Sequence, residues 1–137
     1  MAKAHAETTI KKSVDEVWER IRDFGDISWV PNVASCTLEG DDRTITMQGA
    51  SYELVERLLD HDDENRRFSF CVVGELNLES VLGPGHVLRN LEATLAVTPI
   101  GDEAMVRWEV ETEEFLIEAT RAEYQAALEN LKAELEA

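Results

Sequence analysis

The segment 115–136 is the feature that most limits how this chain can fold. Side chains suited to burial recur there at three- and four-residue steps, and neither Gly nor Pro interrupts them: Ile117, Thr120, Tyr124, Leu128, Leu131 and Leu135. This spacing predicts one long helix with a single apolar face. At roughly 1.5 Å per residue the helix is about 30 Å long, so its apolar face requires a partner surface of similar length.

The upstream chain provides that surface as strands. Residues 3–10 alternate weakly, which predicts an opening strand, and a capping box of Ser13 and Glu16 starts a helix that runs to about Asp23. Phe24-Gly25-Asp26 breaks this helix before a second short helical segment that ends at Trp29-Val30-Pro31. Runs of β-branched and aromatic residues then predict six further strands, at 33–38, 44–48, 52–60, 66–73, 86–98 and 105–112.

This order of elements predicts an α+β fold in a single domain, residues 1–137. Short turns between the strands indicate an antiparallel meander, so we expect a curved seven-stranded antiparallel sheet wrapped around the long C-terminal helix, with two short helices after the first strand. Seven strands offer more concave surface than one helix covers, which predicts an apolar cavity between sheet and helix. The stretch 74–85 is longer than a hairpin needs, which favours a functional loop.

Charge and composition exclude several classes of function. The formal net charge of -16 argues against nucleic acid or anionic membrane surfaces as partners. No run of about 18 apolar residues exists for membrane insertion, and residues 1–7 lack a signal-type apolar core, so we expect a cytoplasmic protein, monomeric or homodimeric. Cys36 and Cys71 are expected to be reduced thiols. His5, His61 and His86 lack metal-site spacing, and no cofactor motif is present, so we expect no metal, no cofactor and, if any catalysis, acid–base catalysis.

Several separate segments together resemble one known superfamily. They are Val14-Asp15-Glu16-Val17-Trp18, Trp29-Val30-Pro31 with Ser35-Cys36, Val55-Glu56-Arg57-Leu58-Leu59 with Asp62-Asp63, and Asn130-Leu131-Lys132. In this order and at these separations they resemble the START-like SRPBCC superfamily, in its bacterial polyketide cyclase/dehydrase-like branch. The resemblance implies a helix-grip fold with a ligand cavity under the C-terminal helix. The superfamily includes ligand carriers, hormone receptors, allergens and ring-forming enzymes, so the resemblance specifies the fold better than the function.

A second, local resemblance concerns the segment Gly85-His86-Val87-Leu88-Arg89-Asn90. It is similar to the latch loop of the abscisic acid receptors, which implies that His86 and Leu88 close over a ligand entrance. The opposing gate loop would be residues 47–51, but the Gly-Leu-Pro sequence of those receptors is absent. Val30 also stands where the receptors keep a carboxylate-binding lysine. Hormone sensing of that kind is therefore not expected.

Two charged residues are candidates for the polar part of the cavity. Glu56 lies in an apolar strand segment, where it either faces the cavity, as the resemblance favours, or pairs across strands on the solvent face. A carboxylate inside an apolar pocket would have a raised pKa and would bind a hydroxyl group or move a proton. Arg89 shares a face with Val87 and Leu91. It therefore either enters the cavity mouth, where it would pair with Glu56 or with a carboxylate of the ligand, or forms an ion pair on the surface.

The remaining candidates are apolar or aromatic, and for most of them a place in the core is the alternative. Phe68, Phe70 and Val72 share the inward face of one strand, and Trp108 is expected in the cavity wall. Trp29 would close the cavity from the side of the short helices or pack as a hinge. Leu91 and Leu128 belong to the same inward faces, and the Tyr124 hydroxyl would hydrogen-bond a ligand from the helix.

Three functions are compatible with these features. The first is binding of a small hydrophobic or aromatic molecule, or a lipid, in the cavity. The second is a polyketide cyclase or dehydratase that uses Glu56, with Arg89, for acid–base chemistry. The third is interaction with a protein partner through the acidic surface. The sequence specifies no particular ligand.

Overall fold

A seven-stranded antiparallel sheet forms the frame of the protein, and one long helix lies against it. The structure is a computed structural model that describes residues 1–50 and 52–137. The elements are β1 (Ala2–Ile10), α1 (Val14–Ile21), β2 (Val33–Glu39), β3 (Asp42–Met47), β4 (Glu53–Asp62), β5 (Arg67–Val72), β6 (Leu76–Asn77), α2 (Glu79–Leu82), β7 (Val87–Leu88), β8 (Leu91–Ile100), β9 (Glu103–Thr112) and α3 (Glu114–Glu136). The strand order in the main sheet is β1-β9-β8-β5-β4-β3-β2. The α+β fold class, the seven strands and the long C-terminal helix are confirmed.

The segment between α1 and β2 differs from the prediction in one respect. The first short helix begins at the predicted capping box, where the Glu16 N–H donates to Ser13 Oγ at 3.2 Å. The second short helix is replaced by turns. Asp23 Oδ1 accepts from the Gly25 N–H at 2.9 Å, and Asp26 Oδ1 accepts from the Ser28 N–H at 3.1 Å. Such local side-chain bonds compete with the helical hydrogen-bond pattern, which explains the difference.

The predicted strand 86–98 is divided into β7 and β8. The interruption falls at Arg89 and Asn90, whose backbone N–H groups both donate to Glu113 Oε1 at 3.0 Å instead of to a neighbouring strand. The long stretch 74–85, together with β7, forms a small lobe in which β6 pairs with β7 and α2 lies between them.

Helix α3 packs most extensively against β1 and β9, at one side of the sheet. Its predicted apolar face is buried along Ile117, Thr120, Tyr124, Leu128 and Leu131. It also covers the free edge of β1, because Gln125 Nε2 donates to Glu7 O at 3.1 Å and Lys132 Nζ donates to Thr9 O at 2.6 Å. Within residues 1–50 and 52–137, no helix combines the length and hydropathy of a membrane-spanning segment.

The opposite side of the sheet, β2 to β4, is curved away from the helix. The β4–β5 register shifts between Leu58 and Asp60, and the β2–β3 register shifts between Val33 and Ser35. Each shift places an extra residue in one strand, and such bulges bend the strand and increase its twist. The inner face of β3 and β4 is therefore left partly open beneath the helix.

Asp63, in the turn between β4 and β5, joins that turn to α1. It accepts from Trp18 Nε1 at 2.9 Å and from Arg22 Nε and Nη2 at 2.9 and 2.8 Å. These donors stabilise the ionised carboxylate and lower the pKa of Asp63 from 3.8 to about 2, with the Arg22 hydrogen bonds as the largest cause. The turn is thereby tied to the helix by a charge-dependent contact.

We predict that Asp63→Asn lowers the free energy of unfolding at pH 7 and that the difference from the parent protein disappears as the pH falls. A depressed pKa means that the unfolded chain takes up the proton first, so the stabilisation is complete above the ordinary pKa of 3.8 and is lost towards about 2. Urea unfolding at several pH values measures this. Glu64→Gln, in the same turn, is the control and should change little. A stability difference as large at pH 2 as at pH 7 would contradict the prediction.

Candidate functional site

A cavity of about 330 Å³ lies between the inner face of the sheet and α3. It is lined by Ile27, Val30, Pro31, Asn32, Val33, Arg43, Ile45, Met47, Leu54, Glu56, Phe70, Trp108, Ala122, Glu123, Tyr124 and Ala126. Most of these side chains are apolar, and the buried polar ones gather at Arg43, Glu56 and Tyr124. The exposed lining residues are Asn32, Ala122, Glu123 and Ala126, so the mouth opens between α3 and the turn before β2.

The position of the mouth follows from the local sequence. Ala122 and Ala126 are small side chains on the α3 face directed towards β2 and β3, so they leave space that larger side chains would fill. Across the mouth, Asn32 adopts a positive φ of 67°, a conformation that Asn tolerates better than most residues. The Asn32 carbonyl accepts from the Gln48 N–H at 2.8 Å, which ties this turn to the end of β3.

A buried ion pair forms the polar inner end of the cavity. Arg43 on β3 and Glu56 on β4 are opposite each other in the antiparallel register and are 3% and 4% exposed. Arg43 Nε and Nη2 both donate to Glu56 Oε1, at 3.0 and 2.8 Å. Arg43 Nη1 donates to the Phe24 carbonyl at 3.0 Å. The guanidinium carbon lies 3.9 Å from the ring centroid of Phe24 and 4.7 Å from that of Phe70, so aromatic faces surround the cation.

The second carboxylate oxygen of Glu56 has a different environment. In the part of the chain that the structure describes, no group donates to Oε2. This oxygen is also not among the fully buried polar atoms that lack a partner, so part of its surface is accessible. The Glu56 side chain keeps 6% of its surface accessible, so Oε2 faces the cavity. Burial raises the pKa of Glu56, and the Arg43 charge and hydrogen bonds oppose that rise. The pair thus offers the cavity a hydrogen-bond acceptor whose position Arg43 fixes.

Tyr124 on α3 lines the side of the cavity that faces the sheet and this ion pair. Its ring stacks on Trp108 with centroids 3.6 Å apart and an interplanar angle of 10°. Burial, followed by the nearby Glu56 charge, raises the pKa of the Tyr124 phenol well above its usual value, so the hydroxyl stays protonated. No hydrogen bond to the hydroxyl is formed within the described residues, and part of the surface of its oxygen is accessible. A second polar group therefore faces the cavity without a protein partner.

Four of the candidate residues lie together in the cavity wall: Glu56, Phe70, Trp108 and Tyr124. Five others belong to the packed core or its edge rather than to the wall: Trp29, Phe68, Val72, Leu91 and Leu128. Trp29 packs behind the wall, with its ring centroid 5.6 Å from that of Trp108. Phe68 packs beneath α1 against Trp18, 6.1 Å between centroids. For Trp29, Phe68 and Val72 these positions correspond to the packed alternative that the sequence left open, whereas Leu91 and Leu128 were expected to contact the ligand.

The expectation that Arg89, His86 and Leu88 stand at the cavity mouth is corrected by the structure. Arg89 is exposed and pairs with Glu75 at 3.1 Å, because the break between β7 and β8 turns its side chain outward. The His86 ring stacks edge-on against Phe115 at 4.8 Å, and Leu88 is 4% exposed in the core. None of the three lines the cavity. The small lobe is thus separate from the mouth.

The supposed gate segment, residues 47–51, contributes Met47 to the lining, whereas Ser51 lies outside the described residues. The buried charged residue of the cavity wall that the sequence interpretation missed is Arg43. Its signal was present, because Arg43, Ile45 and Met47 alternate on one face, and a hairpin centred between Gly49 and Ala50 places Arg43 opposite Glu56. The predicted strand began one residue too late to include it.

The chemistry available at this site is hydrogen bonding and, in principle, proton transfer. In residues 1–50 and 52–137, no three His, Cys, Asp or Glu side chains come close enough together to hold a metal ion. The buried polar groups of the cavity wall are instead the Arg43–Glu56 pair and the Tyr124 hydroxyl, and Asn32 and Glu123 lie at the mouth.

We predict that Arg43→Met destabilises the protein by roughly 3 kcal/mol at neutral pH, because it leaves the buried Glu56 carboxylate without its counter-charge. Without Arg43 the pKa of Glu56 rises further in the folded state, while the unfolded chain ionises near the ordinary 4.5. The destabilisation should therefore grow as the pH rises above about 4.5 and be smallest below it. Urea unfolding across this pH range measures the effect.

The matched control for this prediction is Arg57→Met on the same hairpin. Arg57 pairs with Asp42 on the outer face of the sheet at 2.8 Å, where both groups are solvated, so its loss should be far smaller. Equal effects of the two substitutions would show that the buried pair has no special role in stability.

Comparison with known proteins agrees with this architecture. A protein from Bacillus thuringiensis has the same fold at 19% sequence identity and a TM-score of 0.82, with 99% of this chain and 100% of that chain covered. A protein from Thermobifida fusca is 25% identical with a TM-score of 0.75, over 99% and 96% of the two chains. The crystal structure of Ara h 8.0201 is similar in fold at 10% identity and a TM-score of 0.76, over 98% and 97%.

A search of curated protein sequences finds no significant match. A family model described as polyketide cyclase / dehydrase and lipid transport matches residues 1–136. The resemblance to the SRPBCC superfamily is therefore confirmed, and the chain belongs to its polyketide cyclase/dehydrase and lipid transport family.

Proposed function

We propose that the protein binds a small, mainly apolar molecule in the cavity between β3, β4 and α3. The observation that carries this proposal is the cavity itself: a space of about 330 Å³ with apolar walls and an open mouth, which Glu56 Oε2 and the Tyr124 hydroxyl face without protein partners among the described residues. Ligand pockets have this composition, with mostly apolar walls and a few placed polar groups. The family description, which includes lipid transport, supports the same class of function.

The size of the cavity favours a compact ligand. Ligand pockets range over about 300–1,000 Å³, and this cavity is near the lower limit. A molecule with one or two rings, or one short acyl chain, suits this volume better than a lipid with two long chains. We therefore propose a compact hydrophobic or aromatic molecule rather than a bulk membrane lipid.

Binding without turnover is the form of the function that the Glu56 geometry favours. A general acid must carry the proton that it donates, whereas the two hydrogen bonds from Arg43 to Glu56 Oε1 stabilise the ionised form of the carboxylate. Those charge-assisted bonds keep the carboxylate ionised and in one orientation, which suits a fixed acceptor. Recovery of a chemically altered molecule after incubation with the protein would instead support the cyclase or dehydratase alternative.

The direct test is native mass spectrometry of the protein purified from the organism that encodes it. We expect a co-purifying small molecule that is released on denaturation. A parallel test uses the neutral fluorescent probe N-phenyl-1-naphthylamine, whose emission rises in apolar surroundings. Absence of both a co-purifying molecule and saturable probe binding would overturn the proposal.

We predict that Ala126→Phe weakens probe binding by about tenfold or more, because the larger side chain fills the cavity mouth. Ala133→Phe is the matched control, since Ala133 is also exposed on α3 but does not line the cavity. Both substitutions lie on solvent-accessible positions, so neither should unfold the protein, which circular dichroism would verify. Equal affinities of the two variants would place probe binding outside this cavity.

A further inference from the structure

Glu56 Oε2 and the Tyr124 hydroxyl face the cavity without a partner among the described residues, and this places a requirement on the ligand. Glu56 Oε2 is a carboxylate oxygen and can only accept a hydrogen bond, whereas the protonated Tyr124 hydroxyl has a hydrogen to donate. No hydrogen bond joins Glu56 to Tyr124, although both face the same space. A bound group that satisfies both must itself donate and accept.

We propose that the ligand is an uncharged molecule that carries a hydroxyl group, a phenol or an alcohol, on a compact apolar frame, and that the cavity discriminates against carboxylates. The ligand hydroxyl donates to Glu56 Oε2, and its oxygen accepts from the Tyr124 hydroxyl. This inference rests on the proposed binding function and adds the chemical class of the ligand.

The hydroxyl class follows from the pairing of one acceptor with one donor. A ketone or ester oxygen accepts only, so it leaves Oε2 without a partner. An ammonium group donates only, so it leaves the Tyr124 hydroxyl without an acceptor. Leaving a buried polar group unpaired costs free energy, and sites built around such groups reject ligands that lack the matching atom. A hydroxyl group is the simplest function that has both roles.

Discrimination against carboxylates follows from the charges around the cavity. Arg43 is the cation in the wall, and three of its hydrogen bonds are already made, two to Glu56 Oε1 and one to the Phe24 carbonyl. The rings of Phe24 and Phe70 cover the guanidinium at 3.9 and 4.7 Å. A ligand carboxylate would therefore meet the negative Oε2 at the inner end without gaining the full attraction of Arg43.

The mouth reinforces this preference. Glu123 lines it, so its carboxylate places a second negative charge beside the path of an entering ligand. The whole chain carries a formal net charge of -16, so the long-range field also repels anions. A neutral ligand avoids both penalties.

Three probes that share one ring system and differ only in the substituent at position 2 test the inference: naphthalene, 2-naphthol and 2-naphthoate. Each is titrated at pH 7 against protein loaded with N-phenyl-1-naphthylamine, and its dissociation constant is obtained from probe displacement. For the parent protein we expect 2-naphthol to bind about tenfold more tightly than naphthalene, as a hydrogen bond to a charged group allows. We expect 2-naphthoate to bind more weakly than naphthalene.

Two variants assign the preference to the named atoms. Tyr124→Phe keeps the ring stacked on Trp108 but removes the hydroxyl, so it should reduce the ratio by which 2-naphthol binds more tightly than naphthalene. Glu56→Gln removes the negative charge and leaves Arg43 uncompensated, so it should make 2-naphthoate bind more tightly than it binds the parent protein. The Tyr124 variant keeps the inference testable if Glu56→Gln folds poorly.

The outcomes separate this inference from the proposed function. If naphthalene and 2-naphthol bind equally, or if 2-naphthoate binds most tightly to the parent protein, the ligand class is wrong while cavity binding stands. If Tyr124→Phe leaves the advantage of 2-naphthol unchanged, the hydroxyl recognition assigned to Tyr124 is wrong. If neither the fluorescent probe nor any naphthalene derivative binds, the proposed function fails and this inference fails with it.

Discussion

The placement of α3 over one side of the sheet is the constraint on which the rest of this structure depends. The helix must bury its apolar face, and it does so mainly against β1 and β9. Contacts from Gln125 and Lys132 to the carbonyl groups of β1 hold it there. Because the sheet is seven strands wide, the same placement leaves the inner face of β3 and β4 only partly covered. The cavity is thus a consequence of covering a wide sheet with a single helix.

The partly covered strands β3 and β4 carry the buried charges Arg43 and Glu56, which therefore lie beside the cavity. A carboxylate and a guanidinium are tolerated in the interior when each compensates the other, as Arg43 and Glu56 do at 2.8 Å. Two aromatic rings and a backbone carbonyl complete the environment of Arg43. Glu56 Oε2 accepts no hydrogen bond from any of the described residues, and it faces the same cavity as the Tyr124 hydroxyl. The fold thereby presents a small, fixed polar end in a space that is otherwise apolar.

The sequence predicted regular elements well where one periodicity was dominant. The stripe from Ile117 to Leu131 predicted a helix and its buried face. Apolar side chains at steps of three and four residues lie on one side of an α-helix and of no other regular structure. The capping box at Ser13 and Glu16 and the seven strands of the sheet were predicted for similar local reasons. Prediction was weaker where local hydrogen bonds compete with periodicity. Asp23 and Asp26 replaced a short helix by turns, and Glu113 interrupted a strand at Arg89 and Asn90.

By itself, then, the sequence determined the class of fold and the apolar helix face, and it identified Glu56 as a candidate for an inward-facing carboxylate without deciding its direction. It did not determine the partner of that carboxylate, since the same residues allowed either Arg89 or a surface pairing, and the choice of Arg43 depends on strand register. The cavity wall was also decided only by tertiary structure. Phe68 and Phe70 have the same alternation, yet one packs beneath α1 and the other lines the cavity. The position of α3 across the sheet decides which inward side chains are covered, and that position is set by long-range packing that no local pattern encodes.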